Sequence, residues 1–249
     1  MCCFSGNVDF VRGTRIFARM TDTGRQGLVY QMQFGAKEDL AIILPLPVAK
    51  DAGEGALKYI DLSGYPTFFK DLRSGFPADP VFRSRPFAAG SGGNLEVKRV
   101  GAYDASFVPA VKDFERLDPR FRLPGKTWNA LPLYSDYGFA VFKLRKGTHE
   151  VHPMAFTFPT RQPEQLFFPT VHIHDGEVHP QEAFDHALYC QVARITGLAP
   201  MQGWQESEDP ASRFIKFANA ASLIDPNAHL YRRRMTGMLK NEDVILATA

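Results

Sequence analysis

Four of the seven histidines in this 249-residue chain lie in one segment, residues 167–190. The segment contains Asp175 and Gly176, a pair typical of a two-residue hairpin turn because both residues tolerate a positive φ. Side chains alternate between the faces of a strand, so residues on either side of such a turn share faces in a fixed order. The predicted hairpin brings four potential ligands to the same face: His172, His174, Glu177 and His179.

This convergence of imidazoles and a carboxylate predicts a metal site. Opposed Cβ atoms of a hairpin lie about 5 Å apart, and Zn²⁺ or Cu²⁺ can bridge that gap with ligands at about 2 Å. We therefore predict copper or zinc as the cofactor. His186 and Cys190, four residues apart on a predicted helix, are further candidate ligands. Two other interpretations stay open for the same histidines, an exposed polar strand face and proton transfer without a metal.

The chain has three cysteines, and an odd number argues against a disulfide framework. Cys2 and Cys3 are candidate catalytic residues. If Met1 is removed, Cys2 carries a free α-amine whose pKa of about 7.7 suits a general base beside the thiol, which is the arrangement of N-terminal nucleophile hydrolases. The two adjacent thiols are also candidate soft ligands for copper or zinc.

The opening "MCC" resembles the start of glutamine amidotransferases and of choloylglycine-type amidases. In the amidases an Arg-x-x-Asp motif follows on the next strand, and this chain has Arg19 and Asp22 at that spacing. The "SRF" at 212–214 is similar to a substrate-side arginine of the same family. The resemblance implies an amidohydrolase with Cys2 as its nucleophile.

Runs rich in β-branched and aromatic residues predict the strands that would carry these groups. The run at 40–48 is apolar throughout, which is typical of a central strand covered on both faces. The other predicted strands are 14–20, 27–34, 95–108, 137–144, 152–159 and 166–174.

Helices are predicted between and after these strands, with a Pro- and Gly-rich surface loop at 77–94. The predicted helices are 54–62, 65–76, 108–117, 182–195, 210–224 and 227–239. Residues 1–249 are predicted to form one α+β domain, with a β-rich body of mostly antiparallel strands at 1–180 and a helical C-terminal segment at 181–249.

Charge and composition limit the classes of partner that the protein is expected to bind. A net charge of +2 and a pI near 8.4 do not favour nucleic acid or a lipid surface, and the basic run at 232–234 is interpreted as a solvated helix face. No run approaches the roughly 18 apolar residues of a membrane span, and the first residues lack the features of a signal peptide. We predict a cytoplasmic protein whose partner is a small-molecule substrate or a metal ion.

Three stretches carry a wider resemblance: "RIFARM…LVYQMQFGAKEDLAIILPLPV", "VGAYDASFV" and "YGFAVFKL…HPMAFTFP…LFFPTVHI". Over roughly residues 2–175 the chain resembles an uncharacterised bacterial family, domain of unknown function twenty-three-thirty. The resemblance implies a shared set of strands after a Cys-containing opening, and no reaction. Members of that family are mostly exported, whereas this chain lacks a signal.

The leading functional hypothesis is a metal-binding protein or a copper- or zinc-dependent enzyme. The first alternative is an N-terminal cysteine amidohydrolase, and the second is a non-catalytic binding protein. Neither the oligomeric state nor the presence of catalysis follows from the sequence.

Overall fold

Two β-sheets packed face to face form the body of the protein. The computed structural model describes residues 2–21, 23–49, 52–77, 98–100, 103–192 and 201–248. Its strands are β1 (Cys2–Phe4), β2 (Phe10–Met20), β3 (Gln26–Ala36), β4 (Leu40–Leu46), β5 (Lys58–Asp61), β6 (Lys98–Val100), β7 (Tyr103–Val108), β8 (Gly138–Leu144), β9 (Gly147–Glu150), β10 (Met154–Phe158), β11 (Gln165–Phe168), β12 (His172–Ile173), β13 (Gln181–Gln191), β14 (Gln205–Glu206), β15 (Tyr231–Lys240) and β16 (Val244–Ala247).

Helical structure is short. The α-helices in the described part of the chain are α1 (Phe68–Ser74) and α2 (Gly125–Asn129). The 3-10 helices are Val111–Arg116, Pro119–Phe121, Pro132–Tyr134, Ala211–Arg213 and Phe217–Asn219.

The first sheet has the strand order β12-β1-β4-β8-β7-β6. The second has the order β14-β15-β13-β2-β3-β10-β5, and β9 also pairs with β3. Strands β11 and β16 form a separate pair. Pairing is parallel between β1 and β12 and between β2 and β13, and the other strand pairs are antiparallel.

Strand β4 confirms the prediction of a central strand buried on both faces. Every residue of Leu40–Leu46 is buried. Ile42 and Leu44 belong to the core between the two sheets, whereas Ala41 and Ile43 pack on the opposite side, under the 3-10 helices that follow β7. A continuous apolar run suits this position because neither face of the strand meets water.

Helix α1 covers the outer face of the second sheet. Phe68 packs edge-on against Phe17 of β2, with ring centroids 5.8 Å apart, and Phe69 lies 6.0 Å from Tyr189 of β13. This third apolar layer continues into the segment that precedes β15. The second sheet is therefore also buried on both faces over part of its area.

The predicted helical C-terminal segment is wrong. Residues 182–191 lie in strand β13, and most of 227–239 lies in strand β15. The predicted helix at 210–224 is replaced by two short 3-10 helices and by turns with positive φ at Ala221 and Ser222. Residues 193–195 lie outside the described residues. The protein is predominantly β, and the α+β assignment is corrected accordingly.

The wrong prediction of a helix at 182–195, where strand β13 forms, has a physical cause. Phe184 and Leu188 are four residues apart, a spacing that fits one face of a helix and also one face of a strand. Tertiary pairing decides between them. β13 is paired along its length with β15 and, over Ala187–Gln191, with β2 as well, so cross-strand packing outweighs the modest helix preference of its alanines.

Among the earlier predictions, the helix at 65–76 is confirmed in its central part by α1. Residues 54–62 contain strand β5 instead of a helix, and 108–117 contains a 3-10 helix. Most of the loop predicted at 77–94 lies outside the described residues. The single-domain organisation stays a prediction.

Candidate functional site

The predicted histidine hairpin does not form. His172 belongs to β12, whose parallel neighbour is β1, with Cys2 opposite His172 and Cys3 opposite Ile173. Gly176 has the expected positive φ of 80°, but it lies in an open loop whose two arms are not paired. His172 and His179 are therefore not cross-strand neighbours, and the predicted single face of four ligands is wrong.

Asn241, directly after β15, takes the place of the missing hairpin ladder. Its Oδ1 accepts a hydrogen bond from the backbone N–H of His172 at 2.7 Å. Its Nδ2 donates to the carbonyl oxygens of His172 and His179, both at 2.9 Å. One side chain thereby satisfies backbone groups on both arms of the loop, which removes the drive for the arms to pair with each other.

Two of the predicted ligands do meet, in the interior. The Nε2 atoms of His172 and His186 are 2.9 Å apart, within hydrogen-bond distance. The His172 ring also stacks on His174 and on Phe184, with centroid distances of 4.9 and 4.5 Å. Phe4 closes the cluster with an edge contact to His174 at 5.7 Å. We call these five residues the buried histidine cluster.

Burial makes these imidazoles poor bases. It lowers the pKa of His172 to about 2, and positive charge on His186 or His174 would add repulsion in the same direction. It likewise lowers the pKa of His186, against the attraction of Asp185, and that of His174, against Glu182, Asp175 and Asp185. All three rings are therefore neutral near pH 7.

The remaining predicted ligands of the loop lie outside this cluster. Nε2 of His179 is 3.0 Å from Oδ2 of Asp175 on the exposed surface, and this contact raises the pKa of His179. Oε1 of Glu177 is 3.4 Å from Nζ of Lys126. Both side chains are engaged in surface ion pairs. Neither lies with His172 in a shared metal site.

The cysteines are dispersed as well. Cys190 is fully buried, and burial raises the pKa of its thiol well above the usual range. Because β13 is extended, His186 and Cys190 are separated by roughly 13 Å along the strand, at about 3.3 Å per residue, and are not the neighbours that a helix would make. Cys3 is fully buried beneath the 3-10 helices. For Cys2, the structure describes only the backbone, which pairs with His172.

These positions overturn the metal-binding hypothesis. In the part of the chain that the structure describes, no group of three or more His, Cys, Asp or Glu side chains is arranged to hold a metal ion. The close histidine pair shows why: two nitrogens bound tetrahedrally at about 2 Å from zinc lie about 3.3 Å apart, whereas these are 2.9 Å apart and bonded to each other. Copper or zinc as a cofactor stays a prediction with no ligand set among the described residues behind it.

Sequence reasoning missed three residues that shape this region. Asn241 lies far along the chain, and no local pattern linked it to the histidines. Phe184 and Asp185 directly precede His186 on β13, and recognising the period of two would have placed Phe184 on the same face as His186. Asp185 accepts a hydrogen bond from the backbone N–H of Gly13 and lies 3.7 Å from Nδ1 of His186.

A cavity lies elsewhere, between the outer face of the first sheet and the 3-10 helices after β7. Its volume is about 550 Å³, and its lining contains no histidine or cysteine. The charged groups in it are largely paired, since Arg116 binds Glu54 at 2.6 Å and Arg120 binds Asp118 at 2.7 Å. The histidines and cysteines of the candidate site therefore lie outside this cavity.

Within the described residues, no helix is long and apolar enough to cross a membrane. A cytoplasmic location stays a prediction, as does the resemblance to the uncharacterised bacterial family.

Comparison with known proteins gives one kind of match. No family model matches the chain, and no curated protein matches it in sequence. Among solved structures, the crystal structure of baculovirus P35 matches with a TM-score of 0.55 at 13% identity, over 99% of each chain. A structure of a mutated baculovirus P35 after caspase cleavage matches with a TM-score of 0.50 at 12% identity, over 94% of this chain and 99% of the other. The chain therefore shares the overall fold of baculovirus P35.

Proposed function

We propose that this chain is a non-catalytic binding protein whose partner is a cysteine protease of the caspase type. The observation that carries the proposal is the fold likeness to baculovirus P35 over 99% of both chains. A fold alone does not specify a function. The proposal therefore also draws on the chemistry of the candidate site and on a matched P35 structure determined after caspase cleavage.

The chemistry of the described candidate residues favours binding over catalysis. A cysteine nucleophile needs an accessible thiolate, and the thiols of Cys3 and Cys190 are both fully buried. A general base near neutral pH needs a pKa close to 7, and burial lowers the pKa of His172 to about 2 and also lowers that of His186. These observations favour the non-catalytic alternative over the metalloenzyme hypothesis, and Cys2 as a nucleophile stays a prediction.

The second matched structure is the reason for proposing a caspase as the protease partner. It is a mutated P35 after caspase cleavage, and it retains this fold with a TM-score of 0.50. In that protein the fold persists in a chain that a caspase has cut. By analogy, we expect a caspase to bind and cut this chain without unfolding it, because two packed sheets with extensive cores can hold a nicked chain together.

The test is to titrate the purified protein into a panel of caspases and to measure residual activity on a fluorogenic aspartyl peptide. We expect loss of activity near a 1:1 ratio for at least one caspase, a complex on native gels, and a single cut after an aspartate by intact mass. Papain and trypsin serve as controls for protease class and should be unaffected.

The cleaved aspartate, once identified by mass, gives the matched variants. Its replacement by alanine should abolish cleavage and complex formation, whereas an exposed control, Asp209→Ala, should leave both within about twofold of the unmodified chain. A folded protein that is neither cut by, nor bound to, any caspase in the panel would refute the proposal.

A further inference from the structure

The cavity between the outer face of the first sheet and the 3-10 helices after β7 has the size of a small-molecule site. Its volume of about 550 Å³ lies within the range of roughly 300–1,000 Å³ that is typical of such sites. Part of its lining is apolar and is formed by Leu57, Val108, Leu117, Phe121 and Val141. Pockets of this kind bind the hydrophobic body of a ligand and orient it with a few polar groups.

Two opposite charges line this cavity without neutralising each other. Asp104 of β7 and Lys143 of β8 are directly opposed in an antiparallel pair, so their side chains share one face of the sheet with Cβ atoms about 5 Å apart. Among the described residues, they form no ion pair with each other, and the Asp104 carboxylate accepts no hydrogen bond. Nζ of Lys143 instead lies 5.2 Å from the centre of the Phe121 ring. This contact with the ring face leaves the ammonium group able to donate to a ligand.

The other charged groups that line the cavity take part in ion pairs. The pairs are Arg116 with Glu54 at 2.6 Å, Arg116 with Asp113 at 3.9 Å, and Asp118 with Arg120 at 2.7 Å. The side-chain hydrogen bond from Arg120 is the largest cause of the lowered pKa of Asp118, and the charge of Lys143 is a smaller one. Of the charged lining residues that the structure describes, Asp104 and Lys143 are therefore the two that remain for a ligand.

Two hydroxyl-bearing residues add to the polar lining. Ser106 lies two residues after Asp104 on β7 and shares its face of the sheet. Tyr59 of β5 lines the cavity from the second sheet, and its hydroxyl is buried with no hydrogen-bond partner in the described part of the chain. Edge contacts hold its ring against Phe142 at 5.7 Å and Phe156 at 6.2 Å. Because a buried tyrosine hydroxyl usually has a partner, this one indicates a hydrogen-bonding group on a ligand.

We propose that this cavity binds a free aromatic α-amino acid in its zwitterionic form. The α-ammonium group would donate to the Asp104 carboxylate, and the α-carboxylate would accept from Lys143 and Ser106. Both charges of an α-amino acid are carried on one carbon atom, which suits two opposed side chains on neighbouring strands. The aromatic ring would pack on the apolar lining, and a polar ring atom would supply the partner that the Tyr59 hydroxyl lacks. The proposal does not depend on the identity of the protease partner.

The test is calorimetric titration of the full-length, unmodified protein with L-tryptophan and with two analogues that each lack one charge. L-tryptophan should bind saturably at one site per chain. Tryptamine lacks the carboxylate, and indole-3-propionate lacks the amine. Each should bind at least about tenfold more weakly than L-tryptophan, because each leaves one charge of the Asp104 and Lys143 pair unmatched.

Two variants assign the charges to their partners. Asp104→Asn should weaken binding of L-tryptophan about tenfold or more and leave indole-3-propionate, which has no amine, within about twofold. Lys143→Met should weaken L-tryptophan similarly and leave tryptamine, which has no carboxylate, within about twofold. Asp209→Asn and Lys70→Met are matched controls at exposed positions outside the cavity lining, and neither should change the binding of any of the three ligands.

A third variant tests the hydroxyl. Tyr59→Phe should weaken binding of L-tryptophan about three- to tenfold, because the indole N–H loses its acceptor. The same variant should leave L-phenylalanine, which has no polar ring atom, within about twofold of its affinity for the unmodified protein. Equal losses for the two amino acids would show that Tyr59 acts through packing alone and would remove the polar ring atom from the proposal.

Several outcomes would overturn the proposal. One is no saturable binding of L-tryptophan at concentrations up to about 10 mM, which is too weak for a dedicated site. Tryptamine or indole-3-propionate binding as tightly as L-tryptophan would refute recognition of a zwitterion. L-tryptophan binding that neither Asp104→Asn nor Lys143→Met weakens would place the ligand outside this cavity. The comparison of the three ligands uses the unmodified protein, so it decides the proposal even if a variant fails to fold.

Discussion

The Nε2 atoms of His172 and His186 lie 2.9 Å apart, and each residue is only 2% exposed. A single proton occupies the space between them, so one ring donates and the other accepts. The carboxylate of Asp185 lies 3.7 Å from Nδ1 of His186 and favours a proton on that nitrogen, which leaves Nε2 of His186 as the acceptor. His172 is thereby the donor, and the pair joins β12 of the first sheet to β13 of the second.

Removal of the donor should destabilise the fold. We expect His172→Ala to lower the free energy of unfolding by about 2–4 kcal/mol, because it opens a cavity and leaves the buried Nε2 of His186 without a partner. Urea denaturation followed by fluorescence measures the change. The control is His179→Ala, an exposed histidine, for which the change should be within about 0.5 kcal/mol. Equal effects of the two variants would contradict a structural role for the pair.

Stability should fall with acid in a window set by the buried histidines. The unfolded chain takes up protons at an ordinary histidine pKa of 6.5, whereas the folded pKa of His172 is about 2. The unfolded state therefore binds more protons between these values, and stability, complete above pH 6.5, declines as the pH falls. From His172 alone we expect a loss of about 2 kcal/mol at pH 5 relative to pH 7.5.

The variant His172→Phe should reduce this acid dependence, and His152→Gln gives the control for a histidine outside the cluster whose pKa burial also lowers. Carboxylates with lowered pKa values, such as that of Asp118, contribute only below their ordinary value of 3.8 and leave the window between pH 5 and 6.5 to the histidines. Denaturation curves at pH 7.5, 6.5, 5.5 and 5.0 measure the slope. A flat dependence would mean that the cluster titrates normally.

The buried thiols should be unreactive in the native state. Cys3 and Cys190 have no exposed surface, and burial raises the pKa of Cys190, so both access and thiolate are lacking. We expect iodoacetamide at pH 8 to leave Cys3 and Cys190 unmodified until denaturant is added. Peptide mass spectrometry assigns the labelled positions, and the same reaction in 8 M urea is the control. Rapid native labelling of Cys190 would show that β13 opens readily.

Asn241 should contribute as much to the stability of the fold as a core residue does, even though it lies in a loop. We expect Asn241→Ala to cost about 2–3 kcal/mol, because three hydrogen bonds to the backbone of His172 and His179 are lost together. Asn219→Ala, at an exposed position in a 3-10 helix, provides the matched control and should be nearly neutral. Thermal unfolding of both variants measures the difference, and indistinguishable melting temperatures would contradict the role assigned to Asn241.

The chain's local composition determined much of the first sheet and part of the second. The run 40–48 is apolar throughout and the run 27–34 is rich in apolar and aromatic residues, so both favour strands, and strands β4 and β3 form there. Burial of Leu40–Leu46 on both faces also followed from that run. The type of several elements was therefore a local property of the sequence.

Only the tertiary structure decided the C-terminal elements and the fate of the candidate site. A four-residue spacing such as Phe184 to Leu188 fits both the helical and the extended periods, and pairing with β15 and β2 selected the strand. In the strand, Cys190 lies farther from His186 than it would in a helix, and the His186 ring contacts His172. The turn at Gly176 kept its local geometry, but a distant side chain, Asn241, took the backbone bonds that a hairpin would have used. Hydrogen-bond partners and buried faces are set by residues far apart in the sequence, so no local pattern contains them.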